Sequence, residues 1–366
     1  MFSEMKKLLR SSFFALLAML AVSNCESLSG KTVVYVSESG DKKIAAFELD
    51  EATGDLKRMD EVDVGGAPGC LALSGDGKHI YAAVRTIKGF ATLSVNRRTG
   101  LLTKVGTAPA AGSAAYVYPD KTGKWLLAAY YGEGLASVSR IVNGIVKGEP
   151  VSVIEAGKKA HCIRTDPANR FAFVPMPVDL NRVSQFKFDA TNGKLEWNEP
   201  PAMVAGEGHG PRHLQFHPNG KWVYVVNEQQ RSVTLCDYNS KLGTLKMRQT
   251  LSTVPKDWLK KDSCADIEIS ADGRFVYASN RGHDSIATFS INQKTGDLKS
   301  LGQTPTEKTP RSFNLIPGGE KFLVAAGQGS AKLVVYRRDA KTGALKALKT
   351  YDCGKSPAWV MGVKLD

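Results

Sequence analysis

The chain has 366 residues, 42% of them hydrophobic and 23% charged, with six cysteines and a formal net charge of +13. That apolar fraction is ordinary for a globular protein and excludes a disordered, collagen-like or multiply membrane-spanning chain. Six cysteines over this length are too few for a disulfide-held scaffold. The basic balance admits nucleic acid, anionic lipid or a small anion as partner, so the distribution of the charge has to decide.

Residues 1–24 read as an export signal. Lys6, Lys7 and Arg10 precede the apolar run from Ser12 to Val22, which falls short of the roughly 20 residues a spanning helix needs. Two processing routes fit Ala21-Val22-Ser23-Asn24-Cys25: cleavage after Ser23, or lipidation of Cys25 as the first residue of a mature lipoprotein. Either route predicts an exported protein, periplasmic or tethered to a bacterial membrane by that lipid alone. The remaining cysteines (Cys70, Cys162, Cys236, Cys264 and Cys353) form no C-x-x-C or Cys/His cluster. Buried free thiols are expected, and no metal site.

Residues 31–366 repeat. A basic or polar turn followed by an apolar-aromatic strand recurs seven times, ending at Tyr35, Tyr81, Leu127, Phe173, Tyr224, Tyr277 and Val324. A second landmark, an Asx/Thr-rich turn ending in glycine, also recurs seven times, at Gly54, Gly100, Gly144, Gly193, Gly243, Gly296 and Gly343. Between the landmarks apolar and polar residues alternate, as in Ser285 to Ile291, and turn pairs such as Asn219-Gly220 separate the runs. Four short strands fit each repeat, and helical periodicity is nearly absent. The pattern predicts an all-β, seven-bladed β-propeller. The repeat after Lys31 lacks a first strand, whereas Ser356 to Met361 resembles a first strand with nothing after it. The C-terminal segment is therefore expected to close the N-terminal blade as its innermost strand.

First strands line the channel of a propeller, and strand side chains alternate between faces. Aligning the repeats puts Gly69, Ala114, His161, Arg212, Ala265 and Arg311 towards the channel, with Cys70, Cys162, His213, Asp266 and Ser312 on the other face. A second ring, four residues past the aromatic landmark, holds Ser39, Arg85, Tyr131, Pro177, Glu228, Arg281 and Gln328. His161, Arg212, Glu228, Arg281 and Arg311 thus form one wedge from blades 4 to 7. Three arginines against one carboxylate leave an excess of positive charge, and buried charge without partners is expensive. A small anionic ligand is the expected partner, since guanidinium binds carboxylate or phosphate with two bonds; the bland alternative is a salt-bridge cluster filling a wet channel.

Elsewhere the signals are weak. His209 and His217 are expected in solvated turns, His283-Asp284 in a hairpin, and Trp125 and Trp222 in the core between blades. There is no nucleophile elbow, P-loop or zincin motif, and no cofactor is implied. The lysines sit in outer turns without interleaved aromatics, so nucleic acid is not an expected partner.

Gly206-Glu207-Gly208-His209-Gly210-Pro211-Arg212-His213-Leu214-Gln215-Phe216-His217-Pro218-Asn219-Gly220 resembles the most characteristic repeat of the lactonase seven-bladed propeller family. Tyr224 to Glu228, Tyr277 to Ser285 and Thr309 to Asn314 resemble its next segments. The family includes bacterial 6-phosphogluconolactonases and fungal carboxymuconate lactonizing enzymes. Its proposed active residues fall on His161, Arg212, Arg281 and Glu228. Two segments depart from the family pattern: Met176 to Arg182 lacks the expected glycine, and Tyr130-Tyr131 stands where Asn-Tyr is common.

The resemblance implies hydrolysis of a sugar or organic-acid lactone without a metal. His161 or Glu228 would be general base, Arg212 or Arg281 would stabilise the oxyanion, and Arg311 with Arg85 would hold a phosphate or carboxylate. A carboxymuconate-type isomerase and a non-catalytic exported binding propeller remain alternatives, and a monomer is expected.

Overall fold

Alternating apolar and polar residues give each repeat strands with one face towards each neighbouring blade, and Gly, Asn and Asp turns end them. A computed structural model describes residues 30–260 and 262–365. The export-signal segment 1–24 and Cys25 lie outside the described residues. The described chain forms seven four-stranded antiparallel sheets. Blade 5 is representative, running Pro211–Phe216, Trp222–Asn227, Ser232–Asn239 and Thr244–Ser252 from channel to rim.

Blade 1 is closed as the sequence predicts. Its innermost strand is the C-terminal Pro357–Lys364, paired antiparallel with Thr32–Glu38 in a register that sets Thr32 opposite Lys364 and Tyr35 opposite Met361. The sheet therefore joins the first and last described strands, and Pro357–Lys364 covers what would be the open inner edge of Thr32–Glu38. The rim strands are mostly exposed and carry Lys and Arg, for example Lys346 and Lys349 on Leu345–Asp352. The basic excess is spread around the outside, while charged edges discourage pairing with another chain.

The core lies between blades. Phe275, Tyr277 and Ile286 of blade 6 pack with Phe313, Leu323 and Ala325 of blade 7, and Phe322 and Val324 of blade 7 pack with Val34, Val36 and Phe47 of blade 1. Here the two sequence landmarks meet. The Tyr35, Tyr224 and Tyr277 hydroxyls each donate to a glycine carbonyl of the next blade: Gly100 at 2.7 Å, Gly296 at 2.6 Å and Gly343 at 2.9 Å. All seven landmark glycines have positive φ and abut the second strand of the preceding blade. Their neighbours in turn are Phe322, Val33, His79, Trp125, Phe171, Trp222 and Phe275. The glycine is required twice over, for the left-handed turn and for the close approach of that side chain, a ring at every seam but the one at Val33.

A methyl group at Gly243 would lie less than 3.0 Å from the Phe171 ring. Overpacking costs typically about 1–3 kcal/mol and a left-handed non-glycine residue about 1–2 kcal/mol more. Gly243→Ala is expected to lower the unfolding free energy by about 3 kcal/mol in a urea titration. A loss under about 0.5 kcal/mol, the usual size of a surface substitution, would contradict this account of the blade seam.

Trp125 and Trp222 are buried at these seams, as expected. The five described cysteines are free, and all but Cys353 are buried. His209 and His217 correct the sequence reading, for both are buried rather than solvated. His217 bonds the Gly273 carbonyl at 2.9 Å and packs edge-on against Trp222, so its turn is pressed onto blade 6.

Candidate functional site

At one mouth of the channel the first strands and the turns after the second strands enclose a cavity of about 280 Å³. Backbone hydrogen bonds hold the contributing ends together. Arg85 N donates to Ala67 O at 3.0 Å, His161 N to Pro175 O at 3.1 Å, Glu228 N to Gly210 O at 2.6 Å and Arg281 N to Ser263 O at 2.8 Å. His161, Arg212, Glu228, Arg281, Arg311 and Arg85 all line this cavity, as the repeat alignment places them. Tyr131 and Gly69 join them, whereas Ser39, Ala114, Pro177, Ala265 and Gln328 are not part of the lining.

Strict alternation misassigned Cys70 and His213, which line the cavity too. The cause is a bulge. Pro211 pairs with Asn227 and His213 with Val226, so Arg212 is an extra residue with no partner of its own. A bulge re-aims side chains, and here Arg212 and His213 both reach the channel. The same irregularity lies between Pro68 and Leu71, where Gly69 and Cys70 face inwards, and between Ala114 and Tyr116, which substitutes Ala115 for the expected Ala114. Trp359, on the closing strand, also lines the cavity. Its place was readable once Ser356 to Met361 was taken as a first strand.

Glu228 is shared between two guanidinium groups. Its Oε1 accepts from Arg281 Nη2 at 2.6 Å, and its Oε2 lies 3.3 Å from Arg212 Nε. Arg281 Nη2 also donates to the Cys264 carbonyl at 2.9 Å, and Arg212 Nη1 to the Ala265 carbonyl. Among the described residues no carboxylate lies within 4.0 Å of Arg311 or Arg85. Burial, then Arg311 and Arg281, act to push the Arg212 guanidinium down to about 9; burial, then Arg281 and Arg85, push Arg311 down to about 10. Arginine keeps its proton in proteins. The shifts therefore express a crowd of cations that an anion would relieve.

His213 has a defined tautomer. Arginine can only donate, so the His213 Nε2 lone pair accepts from Arg212 Nη1 at 3.2 Å, and Nδ1–H donates to Asp266 Oδ1 at 2.9 Å. Asp266 and His213 thus clamp Arg212 from behind. Burial opposes ionisation of Asp266, but the His213 hydrogen bond and Arg212 hold its carboxyl below the usual range. Burial and Arg212 push His213 down to about 4 despite Asp266. His161 is likewise held well below the ordinary histidine range, by burial first and then by Arg212, His213 and Arg311. Its ring stands edge-on to Tyr131 at 5.5 Å and to His213 at 5.0 Å, and its buried Nδ1 has no partner among the described residues. It is a neutral imidazole with a lone pair to offer.

These depressed values make stability depend on pH. An unfolded histidine binds a proton below about 6.5, while folded His213 resists it until about 4. Stability is complete above 6.5 and is lost as pH falls from there towards 4. At about 1.4 kcal/mol per unit, His213 alone accounts for roughly 3 kcal/mol. Melting temperature should fall through that window, and His213→Gln should flatten the fall; an equally steep fall in the variant would count against it.

His283-Asp284 is not a dyad: His283 Nδ1 bonds Ser285 Oγ at 2.7 Å, and Asp284 accepts from Thr309 N at 2.8 Å.

Residues 32–361 match the family described as lactonase, 7-bladed beta-propeller. The chain therefore belongs to the lactonase seven-bladed β-propeller family, and by class it is a lactonase. The 6-phosphogluconolactonase of Pectobacterium carotovorum subsp. carotovorum is 35% identical over 336 residues, covering 91% of this chain and 99% of its own. That of Serratia proteamaculans is 33% identical over 330 residues, covering 90% and 98%. The structure of the periplasmic gluconolactonase of Pseudomonas aeruginosa shares the fold with a TM-score of 0.83 at 23% identity, covering 92% of this chain and 99% of its own.

Proposed function

We propose that the cavity hydrolyses a phosphorylated aldonolactone of the 6-phosphogluconolactone type. The carrying observation is the surplus of guanidinium: Arg85, Arg212, Arg281 and Arg311 face one carboxylate, Glu228, in one small cavity. A lactone phosphate brings negative charge as substrate, and hydrolysis adds a carboxylate. Arg311 and Arg85, free of carboxylate partners among the described residues, hold the phosphate.

His161 is the general base. Both Glu228 oxygens are engaged by arginines, whereas the neutral His161 ring lines the cavity and makes no side-chain hydrogen bond among the described residues. The incoming anion offsets the arginines that depress the imidazole and so raises its basicity. His161 takes a proton from water, the hydroxyl oxygen adds to the lactone carbonyl carbon, and Arg212 stabilises the oxyanion. Collapse breaks the bond to the ring oxygen, which receives the proton back from His161 as the open-chain acid forms. Asp266 and His213 keep Arg212 aimed. Residues 1–24, read as an export signal, support a reaction outside the cytoplasm, and the protein is proposed to act as a monomer.

The test is an assay of the purified chain on 6-phosphogluconolactone, gluconolactone and a muconate substrate, with and without a chelator. Hydrolysis of the phosphorylated lactone at least tenfold faster than gluconolactone, untouched by chelator, is expected. Muconate cyclisation, or no hydrolysis above the spontaneous rate, would refute the reading.

A further inference from the structure

We propose that the opposite mouth of the channel is a second anion site, a chamber in which Arg164 takes the carboxylate of a small hydroxylated organic acid. The chamber has a volume of about 330 Å³ and is walled by the far ends of the inner strands. Trp359 lines both cavities; its indole meets Tyr116 edge-on at 5.5 Å and His213 at 6.0 Å. This aromatic partition separates the chamber from the hydrolytic cavity, so the two are distinct sites.

Arg164 is the chamber's defining group. Its strand, Arg164–Thr165, is only two residues long, and Arg164 pairs with Phe173. The guanidinium carbon lies 5.8 Å from the Tyr116 ring centre and 5.3 Å from that of Tyr118, and Nε donates to the Tyr116 hydroxyl at 3.0 Å. The aromatic rings and that bond fix the plane of the fork, while Nη1 and Nη2 have no hydrogen-bond partner among the described residues. No carboxylate of the described residues lies within 4.0 Å of it.

The acids nearby do not neutralise it. Glu268 lines the chamber, accepting from Asn314 Nδ2 at 3.0 Å and Gln215 Nε2 at 3.4 Å. Burial, then the Asp266 charge, push its carboxyl up to about 8 against the pull of the Arg164 charge, so at neutral pH it offsets little of that charge. Asp120 is consumed by its own turn, accepting from the backbone of Thr122, Lys124 and Trp125 and from Asn169 Nδ2. Lys121 adds a second cation at the rim, its Nζ on the Tyr118 hydroxyl at 2.9 Å.

A guanidinium whose Nη1 and Nη2 have no hydrogen-bond partner among the described residues favours an anion, and its fixed fork matches a carboxylate. A single fork beside a neutral acid, an amide and tyrosine hydroxyls suits a monoanion carrying hydroxyl groups better than a phosphate dianion. Trp359 offers a face for the ligand's C–H groups.

Calorimetric titration of the full chain with D-gluconate tests this. The Arg212→Ala variant, which loses the arginine that faces the carboxylate in the first cavity, is expected to retain one gluconate site. In that background Arg164→Gln should weaken binding at least tenfold with an unchanged melting temperature. Arg164→Lys keeps the charge without the fork and should weaken it about tenfold, which covers the case in which the glutamine variant does not fold. Gluconate binding that vanishes in Arg212→Ala, or that survives Arg164→Gln or Arg164→Lys within twofold, would overturn the proposal. So would inorganic phosphate binding more tightly than gluconate at the Arg164-dependent site.

Discussion

Arg212→Ala is expected to lower kcat by about 10²–10³-fold, the loss that follows removal of one oxyanion donor, equivalent to about 2.7–4 kcal/mol. The guanidinium is almost fully buried, yet its Nη2 has no protein hydrogen bond among the described residues. Nη1 serves His213 and the Ala265 carbonyl, and Nε lies 3.3 Å from Glu228 Oε2 as an ion pair without a hydrogen bond. Nη2 is left for a charge that develops only during the reaction, so the loss falls on kcat more than on KM. The fold should survive, because the other arginines already disfavour this cation and Glu228 keeps Arg281. Arg212→Lys should fail almost as badly, since one ammonium cannot satisfy several directions at once. Turnover within threefold of wild type, measured beside the melting temperature, would remove Arg212 from the mechanism.

Deletion of residues 357–366 is expected to abolish cooperative folding. The lost strand supplies the inner edge of blade 1 and buries Val360, Met361, Val363 and Leu365. At about 1.5–3 kcal/mol for each large buried side chain, these alone are worth roughly 6–12 kcal/mol, comparable with the whole stability of a typical protein. Deletion also opens the strand Thr32–Glu38 as an edge, which invites aggregation. A soluble truncated chain with the melting temperature of the full one would contradict closure by this strand.

The sevenfold architecture was legible because its two landmarks are the two halves of one contact. The landmark glycine must meet the second strand of the preceding blade wherever blades join, as Gly243 meets the Phe171 ring, so packing writes it into every repeat, and three seams add a tyrosine hydroxyl, as Tyr277 on the Gly343 carbonyl. The wedge from His161 to Arg311 was legible because charged residues on inner strands stand out against apolar ones. What alternation could not show was the bulge at Arg212: one extra residue turns His213 from the outer to the channel face, and nothing in Pro211-Arg212-His213-Leu214 announces it. Asp266 was hidden for the same reason, since its role comes from contact with a side chain 53 positions away. His217 was misread because its turn is covered by Gly273 of the next blade, a contact between repeats and not within one.

The central claim is that the cation-rich mouth of the channel recognises a phosphorylated sugar acid. A crystal of the full chain soaked with 6-phosphogluconate tests it most directly. The account predicts density with the phosphate on Arg311 and Arg85 and the carboxylate beside Arg212 and His161. Full occupancy at the blade rim, or an empty mouth at a saturating concentration, would contradict it.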